Sequence, residues 1–380
     1  MKIAYYCQHV LGVGHFHRSM EICRACAVDH DVTMIVGGPP VDFSAESFSF
    51  FALPGLRMDD RFSSLIPCDP SAPLEEIKEA RETRLVSFFR EFKPEVLVTE
   101  LYPFGRKAFR FELEPLIEAA ASSPCRIVCS LRDILVEKKV GQQKHDRRAV
   151  KTLNRFFDAL VVHSDPRIVT LNETFELFEL IRIPIHYTGF ITPLPRHNSR
   201  RTLRKSLGLG PEERLIVTSI GSGSVGSELL QAVCDTARIM VEGSPYHFHL
   251  FSGPYCPDSV FDTLSKVAHD RIVVDRFTDN FVDWLAAADL SISMAGYNTS
   301  MNILAAGVPA LMMPFEQNRE QRLRIEKLAH GHPIRLLDGN ELHTDRMIPA
   351  VEQQLAKPRY RTTINLDGAA HTADYLKTLA

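Results

Sequence analysis

The chain has 380 residues, 45% of them apolar and 24% charged, with a formal charge of −3. That length exceeds one ordinary core and fits two domains of middling size, while so small a net charge gives no global electrostatic case for nucleic acid or for a membrane. The first apolar run, Ile3 to Cys7, is too short for a signal-peptide core or a membrane span, so a cytoplasmic address is expected, with the eight cysteines as reduced thiols.

In chain order the pattern alternates. Ile3 to Cys7 reads as a strand, Gln8 to Gly14 as a loop, and His15 to Val28 as a helix with Met20, Ile22, Cys23 and Cys26 among its apolar positions. Val32 to Val36 is the next strand, ended by Gly37-Gly38-Pro39-Pro40. A polar and aromatic stretch runs to Pro73 with one predicted strand, Phe50 to Leu53. A charged helix spans Leu74 to Phe92. Val96 to Thr99, Ile127 to Ser130 and Ala159 to His163 then read as buried strands, separated by helices over Phe109 to Ala121 and Lys138 to Phe156. This spacing predicts a parallel sheet with helices on both faces.

After Tyr187-Thr188-Gly189 a proline-rich, basic stretch from Ile191 to Pro211 reads as a linker containing a short helix. The alternation restarts at Leu215 to Ile220 and continues through His247 to Phe251, Ile272 to Val274, Leu290 to Met294 and Ala310 to Met313. Late helices are expected at Asn340 to Leu355 and Gly368 to Leu379. Two doubly wound α/β domains follow: an N-terminal domain over 1–190, a linker over 191–212 and a C-terminal domain over 213–360. A terminal helix within 361–380 is compatible with a return to the first domain.

The densest stretch is Ala287 to Pro314. A buried strand breaks at Ala295-Gly296, Asn298-Thr299-Ser300 opens a helix, and that helix closes at Ala305-Ala306-Gly307. A helix start at the carboxyl end of a parallel strand gathers unpaired N–H groups and the positive dipole end, which suits a phosphate or a sugar hydroxyl. Each half also opens with a strand, a glycine loop and a helix: Cys7 to Ser19 in the first, Ser219 to Glu228 in the second. Neither is a Walker loop. Gly221-Ser222-Gly223-Ser224-Val225-Gly226 meets a GxGxxG count, a weak signal without the acid expected about twenty residues on.

Taken together, GVGHFHRS, TELYPFGRKAFRFEL, CSLRDIL, HSDPRI and YTGF in the first half, with IGSGS, DRFTDNFVDWLAAADLSISMAGYNT, AAGVPALMMPF and NREQ in the second, resemble the GT-B glycosyltransferases. The resemblance is closer to the peptidoglycan-type N-acetylglucosaminyltransferases and to the uncharacterised glycosyltransferases related to them. It implies two Rossmann-like domains with a cleft between them and an inverting transfer without a metal ion or other cofactor. The donor is a nucleotide-sugar, UDP-sugar by default, held mainly by the second domain. The acceptor, a small molecule or a lipid-linked one, is held mainly by the first.

Residue by residue, the resemblance places Gly221, Ser222, Gly223 and Ser224 against the diphosphate, and Arg276 and Phe277 where the base is held. Gly296, Asn298 and Thr299 fall at the phosphate, and Glu320 and Gln321 at hydroxyls of the donor sugar. Asn302 stands where the peptidoglycan-type enzymes carry a ribose-binding glutamate, exchanging a charge-assisted bond for an amide. His15 is the candidate base, since an inverting transfer needs one group to take the acceptor's proton and an imidazole titrates near working pH. Gly14 precedes it on the acceptor side, and His17, two residues on, points elsewhere on the helix and is structural or acceptor-lining.

Other features have plainer readings. Asp29-His30-Asp31 spells a DxD but falls in the turn after the first helix, and Cys23 with Cys26 sits inside an amphipathic helix with no second pair, so no metal site is expected. Glu100, Arg106, Arg132 and Asp133 fall at strand ends, as acceptor contacts or as an ion-pair network that braces loops. The basic run Glu137 to Arg155 is a solvated face or a weak peripheral membrane contact. The expected function is glycosyl transfer; the alternatives are a nucleotide-sugar epimerase of the related fold and a nucleotide-sugar-binding protein without turnover.

Overall fold

The computed structural model describes residues 1–8, 14–39, 46–59, 64–135, 141–316 and 319–379. The chain divides into two compact units, Met1–Ile191 with Ile364–Ala380, and Thr192–Thr363. The statements below concern the described residues.

The first unit lays down β1 (Lys2–Tyr6), α1 (Gly14–Cys26), β2 (Asp31–Val36), β3 (Ser49–Ala52), β4 (Leu56–Met58), β5 (Leu65–Pro67), α2 (Leu74–Phe92), β6 (Val96–Glu100), α3 (Arg110–Ala121), β7 (Arg126–Arg132), α4 (Gln142–Phe156), β8 (Ala159–His163) and β9 (Ile185–Tyr187). Seven of these strands form one sheet in the order β3-β2-β1-β6-β7-β8-β9, each neighbouring pair parallel, while β4 and β5 make a separate antiparallel pair. Strand alternation explains why both faces are covered. Ile3 and Tyr5 of β1 pack into a core with Ile22 and Cys23 of α1, and Ala4 and Tyr6 into another with Leu85 of α2 and Leu113 of α3.

The second unit follows with α5 (Ser199–Ser206), β10 (Arg214–Ser219), α6 (Ser227–Met240), β11 (Tyr246–Phe251), α7 (Asp258–Ser265), β12 (Ile272–Asp275), α8 (Phe281–Ala287), β13 (Leu290–Met294), α9 (Tyr297–Ala306), β14 (Ala310–Met313), α10 (Arg319–Ala329), β15 (Ile334–Leu336) and α11 (Thr344–Leu355). Its sheet is six-stranded and parallel, in the order β12-β11-β10-β13-β14-β15. The last helix, α12 (Gly368–Lys377), lies in the first unit. Its Leu376 is buried in the α1 core and Lys377 pairs with Asp29 at 3.3 Å. The chain leading into it is fastened by bonds from Phe190 N to Asn365 O at 2.8 Å and from Gly368 N to Phe190 O at 3.0 Å.

Each sheet reverses direction once. In the first, β1 lies between β2 and β6; in the second, β10 lies between β11 and β13. At such a point the connections leave on opposite faces, which opens a crevice beyond the carboxyl ends of the two strands and makes that edge the place for a ligand.

The stretch expected as a linker differs from that reading. From Thr192 onward it belongs to the second unit. Its helix α5 is anchored: Arg200 Nη2 and Arg204 Nη1 bond the buried Asp289 carboxylate at 2.7 and 2.8 Å, and in the chain just before the helix Arg196 Nε bonds Asp283 at 2.5 Å. Helix α4 is described from Gln142, so the expected start at Lys138 lies outside the described residues. Helix α11 starts at Thr344 because Asp338 and Glu341 form a capping box around a separate 3-10 turn, Gly339–Glu341. No described helix is long and apolar enough to cross a membrane.

Candidate functional site

At the carboxyl edge of the first sheet, β6 ends in Glu100, fully buried, and α1 begins at Gly14. The part-buried His15 projects its Nδ1 to within 2.6 Å of Glu100 Oε1. The same oxygen accepts a bond from Arg18 Nη2 at 2.7 Å, and Oε2 accepts from Arg106 Nε at 3.0 Å and Nη2 at 2.5 Å. One carboxylate thus serves an imidazole and two guanidiniums. Burial works against its charge, but Arg106, His15 and Arg18 outweigh burial and hold it well below the usual carboxylate range. An ionised carboxylate only accepts, so the proton on His15 sits on Nδ1 and the lone pair on Nε2. Burial pushes the imidazole down to about 4, against the upward pull of Glu100 and with Arg106 and Arg18 adding to the fall. His15 is therefore a neutral imidazole with a fixed tautomer at neutral pH, the state a general base requires.

Of the other residues expected on this edge, Arg132 at the end of β7 donates its Nε to Ile134 O at 3.0 Å and so braces the turn that follows. His17 is exposed on α1, its ring edge-on to Phe16 at 6.0 Å. Residues His9 to Val13 of the first glycine loop lie outside the described residues. Cys23 and Cys26 are buried thiols, the latter pushed up to about 12 by burial. In α4, Arg148 pairs with Glu114 at 3.0 Å and Arg155 lies over Phe156.

The donor-side candidates all follow strand ends of the second sheet. After β10, Gly221 N donates to Ser219 Oγ at 3.1 Å and Ser222 O accepts from Tyr255 N at 2.8 Å. Gly223 has φ of 93°, and a Cβ there would lie 2.6 Å from both Cys256 N and Ser252 O, so only glycine lets these two loops interlock. After β12, the Arg276 guanidinium bonds Cys256 O at 3.0 Å and pairs with Asp258, both in the segment that follows β11. Its carbonyl accepts from Gly253 N at 2.8 Å. Phe277 beside it is 55% exposed, leaving a bare aromatic face at this edge.

After β13, Gly296 caps α9 and Thr299 is buried in its first turn, with Asn298 half-buried beside it. Asn302, one turn on, accepts a bond on Oδ1 from Thr192 Oγ1 at 2.7 Å. After β14, Glu320 and Gln321 stand in the first turn of α10; Gln321 Oε1 accepts from Phe315 N at 2.8 Å and Glu320 lies 3.5 Å from Arg324. Within each unit, then, the candidates gather at the edge where the topology predicts a ligand.

Sequence reasoning left Glu100 and Arg106 as acceptor contacts or as an ion-pair network, and passed over Arg18; the structure pairs Glu100 with Arg106. In the fold Glu100 orients His15, and Arg18 stands three residues after His15 on the same helix. That i, i+3 spacing was the available signal. Gln8, directly after β1, also drew no reading: it is fully buried, and neither amide atom is bonded among the described residues.

Residues 217–375 match the glycosyltransferase family 28 C-terminal domain. A UDP-N-acetylglucosamine–N-acetylmuramyl-(pentapeptide) pyrophosphoryl-undecaprenol N-acetylglucosamine transferase of Halalkalibacterium halodurans is 23% identical over 280 residues, covering 72% of this chain and 69% of that protein. An uncharacterised glycosyltransferase of Methanosarcina acetivorans is 22% identical over 289 residues, 75% of this chain and 72% of the other. Among solved structures, MurG of Acinetobacter baumannii superposes with a TM-score of 0.61 at 10% identity over all of both chains. The glycotransferase of kitacinnamycin does so with a TM-score of 0.67 at 15% identity over 100% of this chain and 98% of its own. With a family 28 C-terminal domain over 217–375 and two Rossmann-like units, the chain is a glycosyltransferase of the GT-B fold.

Proposed function

We propose that this protein is an inverting glycosyltransferase that moves a sugar from a nucleotide-sugar, UDP-sugar in the first instance, to a hydroxyl of a small or lipid-linked acceptor. The observation that carries the reading is the His15–Glu100 pair at 2.6 Å, set at the reversal point of the first sheet in a chain with a family 28 C-terminal domain. The acceptor oxygen attacks the anomeric carbon, its proton passes to His15 Nε2, and the bond from that carbon to the diphosphate oxygen breaks. As Nε2 takes the proton, Glu100 stabilises the imidazolium that forms and keeps the ring from turning.

The leaving diphosphate is met by N–H groups of the 221–224 loop and by the start of α9, so the reading needs no metal ion. The exposed Phe277 ring offers a surface for the base, and Asn302 and the Glu320-Gln321 pair offer partners for ribose and sugar hydroxyls. We place the reaction in the cytoplasm, in keeping with eight free cysteines.

The test is slow hydrolysis of UDP-N-acetylglucosamine and other nucleotide-sugars, followed by nucleotide release with and without EDTA. Wild type is expected to leak to water at a rate EDTA does not change, and His15→Ala to lose the leak while binding UDP with unchanged affinity. Hydrolysis that survives the substitution overturns the base, and loss in EDTA overturns the metal-free reading.

A further inference from the structure

Beneath Glu100 runs a line of buried polar side chains that the reaction as described does not use. Thr372 Oγ1 on α12 contacts Thr188 Oγ1 at 3.2 Å; Thr188 Oγ1 lies 3.0 Å from His163 Nδ1; His163 Nε2 lies 2.7 Å from Ser130 Oγ; and Ser130 Oγ lies 2.9 Å from Tyr5 OH. All five residues are buried, His163 and Thr188 completely. The line ends at Ser19 Oγ, 3.5 Å from Tyr5 OH, on α1 directly after Arg18 and one turn beyond His15. Ser130 is the register partner of Glu100 on the adjacent strand, so the line passes under the carboxylate.

Resting on the proposed function, we infer that His163 is a positioning residue for His15, fixing α1 through Ser130 and Tyr5 so that the imidazole meets Glu100. A sheet core filled by Val and Ile needs no such line, and buried polar groups are tolerated only when bonded. A hydroxyl both donates and accepts, so a side chain with a polar atom toward each side joins Ser130 to Thr188, and a neutral imidazole does so by donating from one nitrogen and accepting at the other. It remains neutral because burial, aided by Arg18 and opposed by Glu100, pushes it down to about 3. The far end of the line is held by α12, whose Leu376 shares a core with Ile22 of α1, so the helix bearing His15 is held from two sides.

The test compares His163→Phe, His163→Gln and Thr372→Val by ¹⁵N-histidine NMR titration of His15 and by hydrolysis of UDP-N-acetylglucosamine. His163→Phe is expected to lower kcat about tenfold or more with KM unchanged, and to move the His15 midpoint up toward its ordinary value as the ring gains solvent. The amide of His163→Gln, which keeps one donor and one acceptor, is expected to recover most of both. Thr372→Val is expected to shift both readouts the same way by less. Folded His163→Phe with a wild-type His15 titration and wild-type kcat overturns the proposal; if that variant does not fold, folded Thr372→Val with an unshifted His15 does so. Absence of hydrolysis in wild type tells against the transferase reading alone, and the titration then decides the positioning role.

Discussion

Glu100 carries two buried guanidiniums and the orientation of His15, so its removal has two separable effects. Glu100→Gln keeps the shape but leaves Arg18 and Arg106 without a counter-charge in a buried site. Breaking such a network costs about 3–5 kcal/mol, to be read as a lower urea midpoint. Any folded fraction is expected to lose hydrolysis, because the imidazolium that forms in the reaction has lost its carboxylate. The same edge makes folding sensitive to acid. His15 and His163 are held at about 4 and about 3, whereas in the unfolded chain each takes a proton near the ordinary histidine value of about 6.5. Below 6.5 the unfolded state binds more protons than the folded one, so stability falls with pH until the folded-state values are reached. Wild type is expected to lose more stability between pH 7 and pH 5 than His163→Gln does. In the second unit, Asn302 accepts from Thr192 where a carboxylate would bring charge, so Asn302→Glu is expected to tighten UDP binding about tenfold by calorimetry.

Among the elements, α5 shows how a segment that reads as a connector becomes structure. Its own sequence, SRRTLRKS, has no buried residue. What fixes it is Asp289, directly before β13, which receives Arg200 and Arg204 and also the backbone N–H of Leu215 at 2.9 Å. Asp289→Asn is expected to lower the stability of the second unit by about 3 kcal/mol, seen as faster hydrogen exchange in both α5 and β10. The pairing joins residues some 85 positions apart, so periodicity could not reveal it. The same distinction separates the legible elements from the rest. Inner strands such as β8, whose ALVV run is apolar on both faces, announce themselves, while the edge strands β9 and β15 are three residues long and owe their form to a neighbour. Helix starts at Gly14 and Gly296 were readable because glycine and polar residues punctuate the chain there. The partnership of His15 with Glu100 was not, because it depends on β6 being laid beside β1 across the sheet's reversal.

For the molecule as a whole, the first unit is discontinuous: its core takes Leu376, with Ala369, Ala373 and Tyr375 packed against it, from a helix that follows the entire second unit in sequence. The segment also contributes backbone and side-chain bonds at the unit's own residues, since Asn365 N donates to Asp165 at 2.9 Å and the Asn365 amide donates to Thr188 O at 3.2 Å. The second unit is one uninterrupted stretch with its own sheet and core. Deletion of 364–380 therefore exposes one face of α1 and ends the buried line at Thr188, yet removes nothing from the β10–β15 sheet. Hydrogen exchange on the truncated chain is expected to rise in peptides from α1, β1 and β8 and to stay at wild-type values in peptides from β10, β13 and β14. UDP is expected to protect the loops after β10 and β13 as it does in the full chain, whereas hydrolysis is expected to be lost. Equal loosening of both units would show that the C-terminal helix supports the second unit as well, and exchange unchanged in α1 would show that the helix bearing His15 does not depend on it.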